Sequence, residues 1–218
     1  VSDFDWGVIA RSYGFLAEGM ALSALLVLVA TLGGLVVGFG LALMRLSTHR
    51  LISVPAAAYV TVMRSLPLVL VLFWFYFLMP LAIGRPVGSL TSALIAFVLF
   101  EAAFYCEIIR AGIGSVRSGQ SDAGLATGLR RWQVLRLIVM PQAMRAMGPL
   151  ILNQIVIVFQ DTSLVYVVSL HDFLTAASVV AARDGRSTEM YTLVAVVYLV
   201  ICLSVTKLAE FYRKGRPS

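Results

Sequence analysis

The chain has 218 residues, of which 60% are hydrophobic and only 13% charged, and its mean hydropathy is +0.93. Soluble domains carry about 25% charged residues, so a soluble fold of this length lacks the polar surface to cover itself, and the composition excludes one. A bilayer accepts apolar side chains all round a helix, and the length fits a single domain of a few spans. The formal charge is +6. In a soluble protein that balance would point to nucleic acid, but here the charges fall between apolar runs and read as topology control, with no nucleic acid expected as a partner.

In chain order, the first span is expected over about 20–44, a run without charge. Its 25 residues reach about 37 Å as a helix, enough to cross with some tilt. The residues before it hold no basic region and do not read as a cleaved signal peptide. The second span is expected over about 56–79, with Arg64 its one charge, and the third over about 87–109, with Glu101 and Glu107 in its second half. The fourth, over about 146–168, is interrupted by Asp161, and the fifth runs over about 190–208. The expected fold is therefore all-α, an integral membrane bundle of about five transmembrane helices. Cys106 and Cys202 both lie in apolar runs and read as small buried residues, with neither metal-ligand spacing nor a disulfide framework.

Orientation follows from Lys and Arg in alternate loops. Twelve lie on one side: Arg45, Arg50, Arg110, Arg117, Arg130, Arg131, Arg136, Arg145, Lys207, Arg213, Lys214 and Arg216. Four lie on the other: Arg11, Arg85, Arg183 and Arg186. The split predicts an N-terminus outside and a C-terminus in the cytoplasm. One cytoplasmic connection is long, about 110–145, and keeps a helical rhythm. Leu125, Leu129 and Trp132 recur at four- and three-residue steps, with Arg130, Arg131 and Gln133 on other faces. A short amphipathic helix is expected there, either on the lipid surface or in a partner's groove.

Residues in this connection carry a resemblance. From Asp122 the chain reads D-A-G-L-A-T-G, and after nine residues I-V-M-P at Ile138 to Pro141. The spacing matches the E-A-A, three residues, G, nine residues, I-x-L-P pattern of the cytoplasmic loop in ATP-binding-cassette importer permeases. Asp122, Gly124 and Met140 depart from that pattern. Asp122 keeps the charge and Met140 the size, whereas Gly124 should loosen a helix by about 1 kcal/mol relative to Ala. E-A-A-F-Y-C-E-I-I-R-A-G-I at Glu101 to Ile113, S-V-R-S-G-Q at Ser115 to Gln120, M-P-Q-A at Met140 to Ala143 and R-S-L-P-L at Arg64 to Leu68 resemble the polar amino acid uptake branch. W-F-Y at Trp74 to Tyr76 and D-T-S-L-V-Y-V at Asp161 to Val167 are most similar to the membrane subunits of glutamate/aspartate importers.

The resemblance implies a machine of several parts. Two permease subunits form the pathway, a cytoplasmic ATPase dimer powers it, and a periplasmic binding protein delivers the amino acid in a bacterial inner membrane. Glutamate/aspartate systems of this kind pair two different permeases. The chain has no G-x-x-x-x-G-K-[ST] phosphate loop, so ATP and Mg belong to the partner ATPase, and no cofactor, metal or catalytic residue is expected in this chain. Gly119, Gln120, Asp122, Ala123, Gly128 and Leu129 are the implied ATPase-coupling residues. Gln154, Gln160, Asp161, Thr162, Ser163 and Arg64 are the implied substrate-binding set. Acidic amino acids are the implied cargo. Glutamine or histidine is the alternative within the class, and an ATP-independent channel the alternative outside it.

Each site residue has a plainer reading beside the functional one. A carboxylate inside a span costs several kcal/mol unless paired or hydrated. Asp161 is thus either the partner of a substrate ammonium or an anchor at a helix break, where Thr162 and Ser163 satisfy freed backbone groups. Arg64 either snorkels to the interface, holds a substrate carboxylate, or pairs with Asp161 or a glutamate of the third span. Relatives often have Lys where Gln160 stands, which leaves open how a second substrate carboxylate would be held. Glu101 and Glu107, six apart, lie on different faces and suit interhelical hydrogen bonds rather than an acid/base pair. Gly34 and Gly38 have small-x-x-x-small spacing for close helix packing. His49 and His171 stand alone.

Overall fold

The structure is a computed structural model that describes residues 4–214. Arg216 and the side chain of Lys214, both counted above for orientation, lie outside the described residues. Every regular element among the described residues is helical.

The first helix, α1 (Gly7–Arg45), has 39 residues and so extends about 58 Å, well beyond a hydrocarbon core of about 30 Å. Its N-terminal third precedes the span expected from the charge-free run. The second expected span is not one helix. The chain forms α2 (Arg50–Ser65) and α3 (Leu68–Ile83), bent by 108° at the break. Pro67 is the cause, because a proline drives the residue before it out of the helical region. Leu66 is extended, with φ −103° and ψ 144°. Within α3 the turn Trp74–Leu78 widens to π geometry, two residues ahead of Pro80. A proline has no N–H for the carbonyl four residues back and its ring pushes that carbonyl away, which opens the ladder locally.

Next, α4 (Ser89–Gly114) is the centre of the bundle, with a far larger share of its length buried than α1. The long connection contains α5 (Ser118–Ala126) and then the start of α6 (Arg131–Val168). The helical rhythm expected through Leu125, Leu129 and Trp132 is broken between them by Gly128, at φ +85°. Gly128 N–H donates to Leu125 O (3.0 Å) and Leu129 N–H to Gly124 O (3.2 Å), the paired bonds of a Schellman helix end. Trp132 belongs to α6 and is 57% exposed. A π turn at Leu135–Val139 again lies two residues ahead of a proline, Pro141. From Met140 the helix is regular to Asp161, after which Thr162–Val168 tightens to 3-10 form.

Sequence reasoning missed one helix. α7 (Phe173–Asp184) lies where a connection was expected. Its 12 residues reach about 18 Å, too short to cross. Buried Asp172 caps it, accepting from the N–H groups of Leu174 and Thr175 at 3.1 Å each. The last helix is α8 (Ser187–Lys214).

Three apolar clusters hold these helices together. One joins the N-terminal part of α1 (Val8, Leu16) to α7 (Phe173, Ala177, Val180) and α8 (Met190, Val194), which explains the extra length of α1. The central cluster joins Leu26 and Ala30 to Phe97 and Phe100 of α4, to Leu68, Val71 and Leu72 of α3, and to Val158, Val165 and Val168 of α6. The third joins Ala42, Val60, Cys106, Ile109, Ala143 and Met147. At Gly38 a Cβ would lie 2.8 Å from the Ala102 carbonyl oxygen, so α1 and α4 touch backbone to backbone. The close packing expected of Gly34 and Gly38 is what the helices show.

Candidate functional site

The polar residues of the apolar layer gather where α6 faces α4. Gln154 and Asp161 are seven apart, two helical turns, and therefore share one face of α6 about 10 Å apart along its axis. Gln154 Nε2 donates to Glu101 Oε2 at 2.9 Å, and both residues are buried. Glu101 Oε1 is enclosed and has no hydrogen-bond partner. On the next turn of α4, Tyr105 OH donates to Thr31 Oγ1 of α1 at 3.4 Å. Asp161 is half-buried and makes no hydrogen bond or ion pair among the described residues.

Asp161 is also the last residue of regular α-helix, and the hydroxyls after it serve the backbone there. Thr162 Oγ1 donates to Phe159 O and Ser163 Oγ to Gln160 O, both at 2.8 Å. These bonds occupy carbonyls whose partners change as the helix tightens. Gln160 is exposed on another face, with Nε2 3.9 Å from Cys202 Sγ of α8. Arg64 does not join this group. Its guanidinium is 3.5 Å from Glu107 Oε1 and stands 5.6 Å over the Phe104 ring. Glu107 also pairs with Arg45 of α1 and, at 2.8 Å, with Arg110. Of the readings open for Arg64, the ion pair with a glutamate of the third expected span is the one observed. Glu101 and Glu107 each bond to other helices, as their six-residue spacing requires.

The second group lies on α5. Gly119, Gln120, Asp122 and Ala123 are exposed along it, Gly128 is exposed at its end, and Leu129 is half-buried. Beside it a cavity of about 510 Å³ is lined by Ser115, Val116, Arg117, Gln120, Gln142 and Ala146. Gly124, the departure that sequence reasoning left unexplained, is buried. A Cβ there would lie 2.6 Å from Ile138 Cδ1 and 3.0 Å from Val134 Cγ2, so the missing methyl lets α5 seat against the start of α6. Among the described residues no group of three or more His, Cys, Asp or Glu is placed to hold a metal ion. Cys106 and Cys202 are free, the first buried and the second half-buried.

The Glu101–Gln154 pairing was not legible, because nothing in spacing connects residues 53 positions apart. For α7 a signal was present and went unread: Asp172 directly precedes an apolar run, which marks a helix start.

Residues 34–215 match the profile of the family described as binding-protein-dependent transport system inner membrane component. The chain belongs to that family. It is accordingly a multi-pass membrane component of a transport system, of the inner-membrane type. It is 45% identical to the glutamate/aspartate import permease protein GltK of Escherichia coli O157:H7, over 97% of this chain and 98% of the relative. Identity to the glutamine transport system permease protein GlnP of Escherichia coli K12 is 31%, over 92% of each. Among solved structures, a crystal structure of an amino acid ABC transporter with histidines superposes with a TM-score of 0.88 at 26% identity. That match covers 98% of this chain and all of the other.

Proposed function

We propose that this chain is one permease subunit of an ATP-driven importer for acidic amino acids, glutamate and aspartate. The observation that carries the proposal is the 45% identity to GltK along essentially the full length of both chains. A cytoplasmic ATPase dimer supplies the energy, a periplasmic binding protein delivers the cargo, and a second, different permease completes the pathway. The N-terminus lies outside and the C-terminus in the cytoplasm, which the twelve-to-four division of basic residues supports.

Within that machine α5 is the coupling helix. Gly119, Gln120, Asp122, Ala123, Gly128 and Leu129 form its ATPase-facing region, and the exposure of the first five supports the role. Movement of the ATPase shifts α5 as a rigid element and biases the pathway between its inward- and outward-facing states. The substrate segment is Gln154, Gln160, Asp161, Thr162 and Ser163 on α6, with Asp161 taking the α-ammonium. Its support is the half-buried, unpartnered carboxylate in an apolar span, which an ammonium would compensate. Arg64 joins the segment only by leaving Glu107.

The test is uptake of labelled glutamate, aspartate, glutamine and histidine by the reconstituted complex. Glutamate and aspartate should lead. Glutamine is the second reading, favoured by the neutral Gln160, and uptake led by glutamine would replace the first. Asp161→Asn keeps size and hydrogen bonding while removing the charge. It should assemble and keep basal ATP hydrolysis, yet lose substrate by more than about a hundredfold, the cost of roughly 3–5 kcal/mol for breaking a desolvated ion pair. Normal uptake by that variant, or loss only through disassembly, would make Asp161 structural.

A further inference from the structure

Glu101 is fully enclosed, at 0% exposure, and its setting leaves its side chain little freedom. On one side α1 presses against it: a Cβ at Gly34 would lie 3.1 Å from Glu101 Cβ and 3.0 Å from the Tyr105 ring. On the other side is Gln154, whose amide is its one hydrogen-bond partner among the described residues. The second carboxyl oxygen is enclosed without a partner. A half-satisfied buried carboxyl costs stability, and an apolar side chain would fill the same volume without that cost. Packing therefore does not account for Glu101.

Its effect on Gln154 does. The carboxyl oxygen accepts, so the amide turns its NH₂ toward Glu101. The carbonyl oxygen of Gln154 is then directed away from Glu101 and makes no hydrogen bond among the described residues. A glutamine free to flip would offer either a donor or an acceptor; held by Glu101, it offers an acceptor. Two turns along the same face stands Asp161, a second acceptor. We infer that Glu101 is a positioning residue for substrate selection. By fixing the Gln154 amide it makes this face of α6 acceptor-only, so that an ammonium-bearing ligand is taken and an equally sized dicarboxylate without the ammonium is refused. The inference rests on the substrate segment proposed above.

Equilibrium binding of labelled glutamate to the purified permease–ATPase complex, in competition with glutarate, tests it. Glutarate has both carboxylates of glutamate and no ammonium. Wild type should prefer glutamate. Glu101→Gln can turn either end of its own amide to Gln154, so it no longer holds that amide one way round, and the preference should fall between wild type and Glu101→Leu. Glu101→Leu frees the amide: glutamate binding should weaken by about tenfold or more, the worth of a hydrogen bond to a charged group, while glutarate binding does not fall. Gln154→Leu should narrow the ratio equally, and the double variant should lose no more than either alone. Gln154→Leu and Glu101→Gln keep the experiment decisive should Glu101→Leu fail to assemble. Wild-type preference in both Glu101→Gln and Gln154→Leu, or effects that add in the double variant, would overturn the inference. If Asp161→Asn binds glutamate normally while the ratio still narrows in the Glu101 series, the Asp161 contact fails and the positioning role stands. If Asp161→Asn loses binding and the Glu101 series is flat, the reverse holds.

Discussion

A single methyl group at position 38 should separate α1 from α4. The Cβ of Gly38→Ala would lie 2.8 Å from the carbonyl oxygen of Ala102 and 3.0 Å from the amide nitrogen of Cys106. Both are backbone atoms inside α4 and cannot rotate away, so one helix must shift by roughly 0.5 Å, which forfeits about a quarter of the dispersion energy along the seam. Overpacking of this kind costs about 1–3 kcal/mol. Alanine regains about 1 kcal/mol over glycine in a helix, leaving Gly38→Ala between neutral and about 2 kcal/mol destabilising. Gly40 supplies the control, for nothing lies within 4 Å of its Cβ position. Gly40→Ala keeps the propensity gain without the clash, so the two variants should differ by about 1–3 kcal/mol. Gly34→Ala should likewise be less stable than Gly40→Ala, since its Cβ would meet the buried Tyr105 ring at 3.0 Å and Glu101 Cβ at 3.1 Å. The assay is the thermal unfolding midpoint of the purified complex in one detergent at one protein concentration. Equal midpoints for Gly38→Ala and Gly40→Ala would refute the backbone contact between α1 and α4.

Single cysteines at Ser118 and Ser187, in a cysteine-free background, should label from opposite sides of the membrane with an impermeant maleimide; labelling from one side would end the proposed orientation. Gly128→Ala forces a side chain into the left-handed region at a cost of about 1 kcal/mol, and should lower ATP-driven uptake without affecting membrane insertion. Gly128→Trp should abolish ATPase docking and uptake, and normal uptake by it would remove Gly128 from the coupling contact. Outside the spans, Asp5 is held below the usual carboxylate range by the hydrogen bond from Arg11, with the Gly7 N–H second, and Asp184 by that from Arg183. A depressed folded value stabilises above the unfolded value near pH 4 and stops doing so as pH falls through the lower folded value. These two groups should leave the unfolding midpoint flat from about pH 8 to 5 and lower it only below about pH 4. A decline between about pH 7 and 5 that disappears in Asp5→Asn would contradict that sign.

What was readable in the sequence was what depends on neighbours along the chain. Charge-free runs place the long helices because a buried charge in lipid is expensive wherever it sits. Gly34 and Gly38 announce a close approach because their four-residue spacing puts both on one face. Pro67, quoted within R-S-L-P-L, carried the signal for the break between α2 and α3, but the apolar run across it masked the signal. The rhythm through Leu125, Leu129 and Trp132 misled for the opposite reason. Periodicity continued across a residue, Gly128, whose backbone ends the helix whatever the side chains around it do. Contacts between distant helices were not readable: Gly124 gained its explanation only from Val134 and Ile138, and Arg64 chose Glu107 over Asp161 through a fold that brings α1, α2 and α4 together.

Under the proposed function, those distant contacts are also the route by which motion of α5 would reach the bundle. α6 is 38 residues long, about 57 Å, and it is gripped at successive points. Near its start, Val134 and Ile138 press on Gly124 of α5. Further on, Met147 packs over Gly112 of α4, where a Cβ would lie 3.3 Å from the Ala143 carbonyl oxygen. Gln154 is tied to Glu101 two turns later, and Val165 and Val168 share a core with Leu68, Val71 and Leu72 of α3. Close-packed contacts transmit displacement rather than absorb it, because interiors have little void to take it up. The ladder departs from α-form at Leu135–Val139 and at Thr162–Val168, and backbone can yield where i→i−4 bonding is interrupted. The first departure lies in the seat of α5, the second directly after Asp161. Under the proposed function, a partner that moves α5 acts on the π turn of α6, and the clamped helix between carries the displacement to the 3-10 segment. The residue proposed to hold the substrate ammonium sits where the regular helix ends, so a change in the 3-10 segment would alter its surroundings without unpacking the bundle.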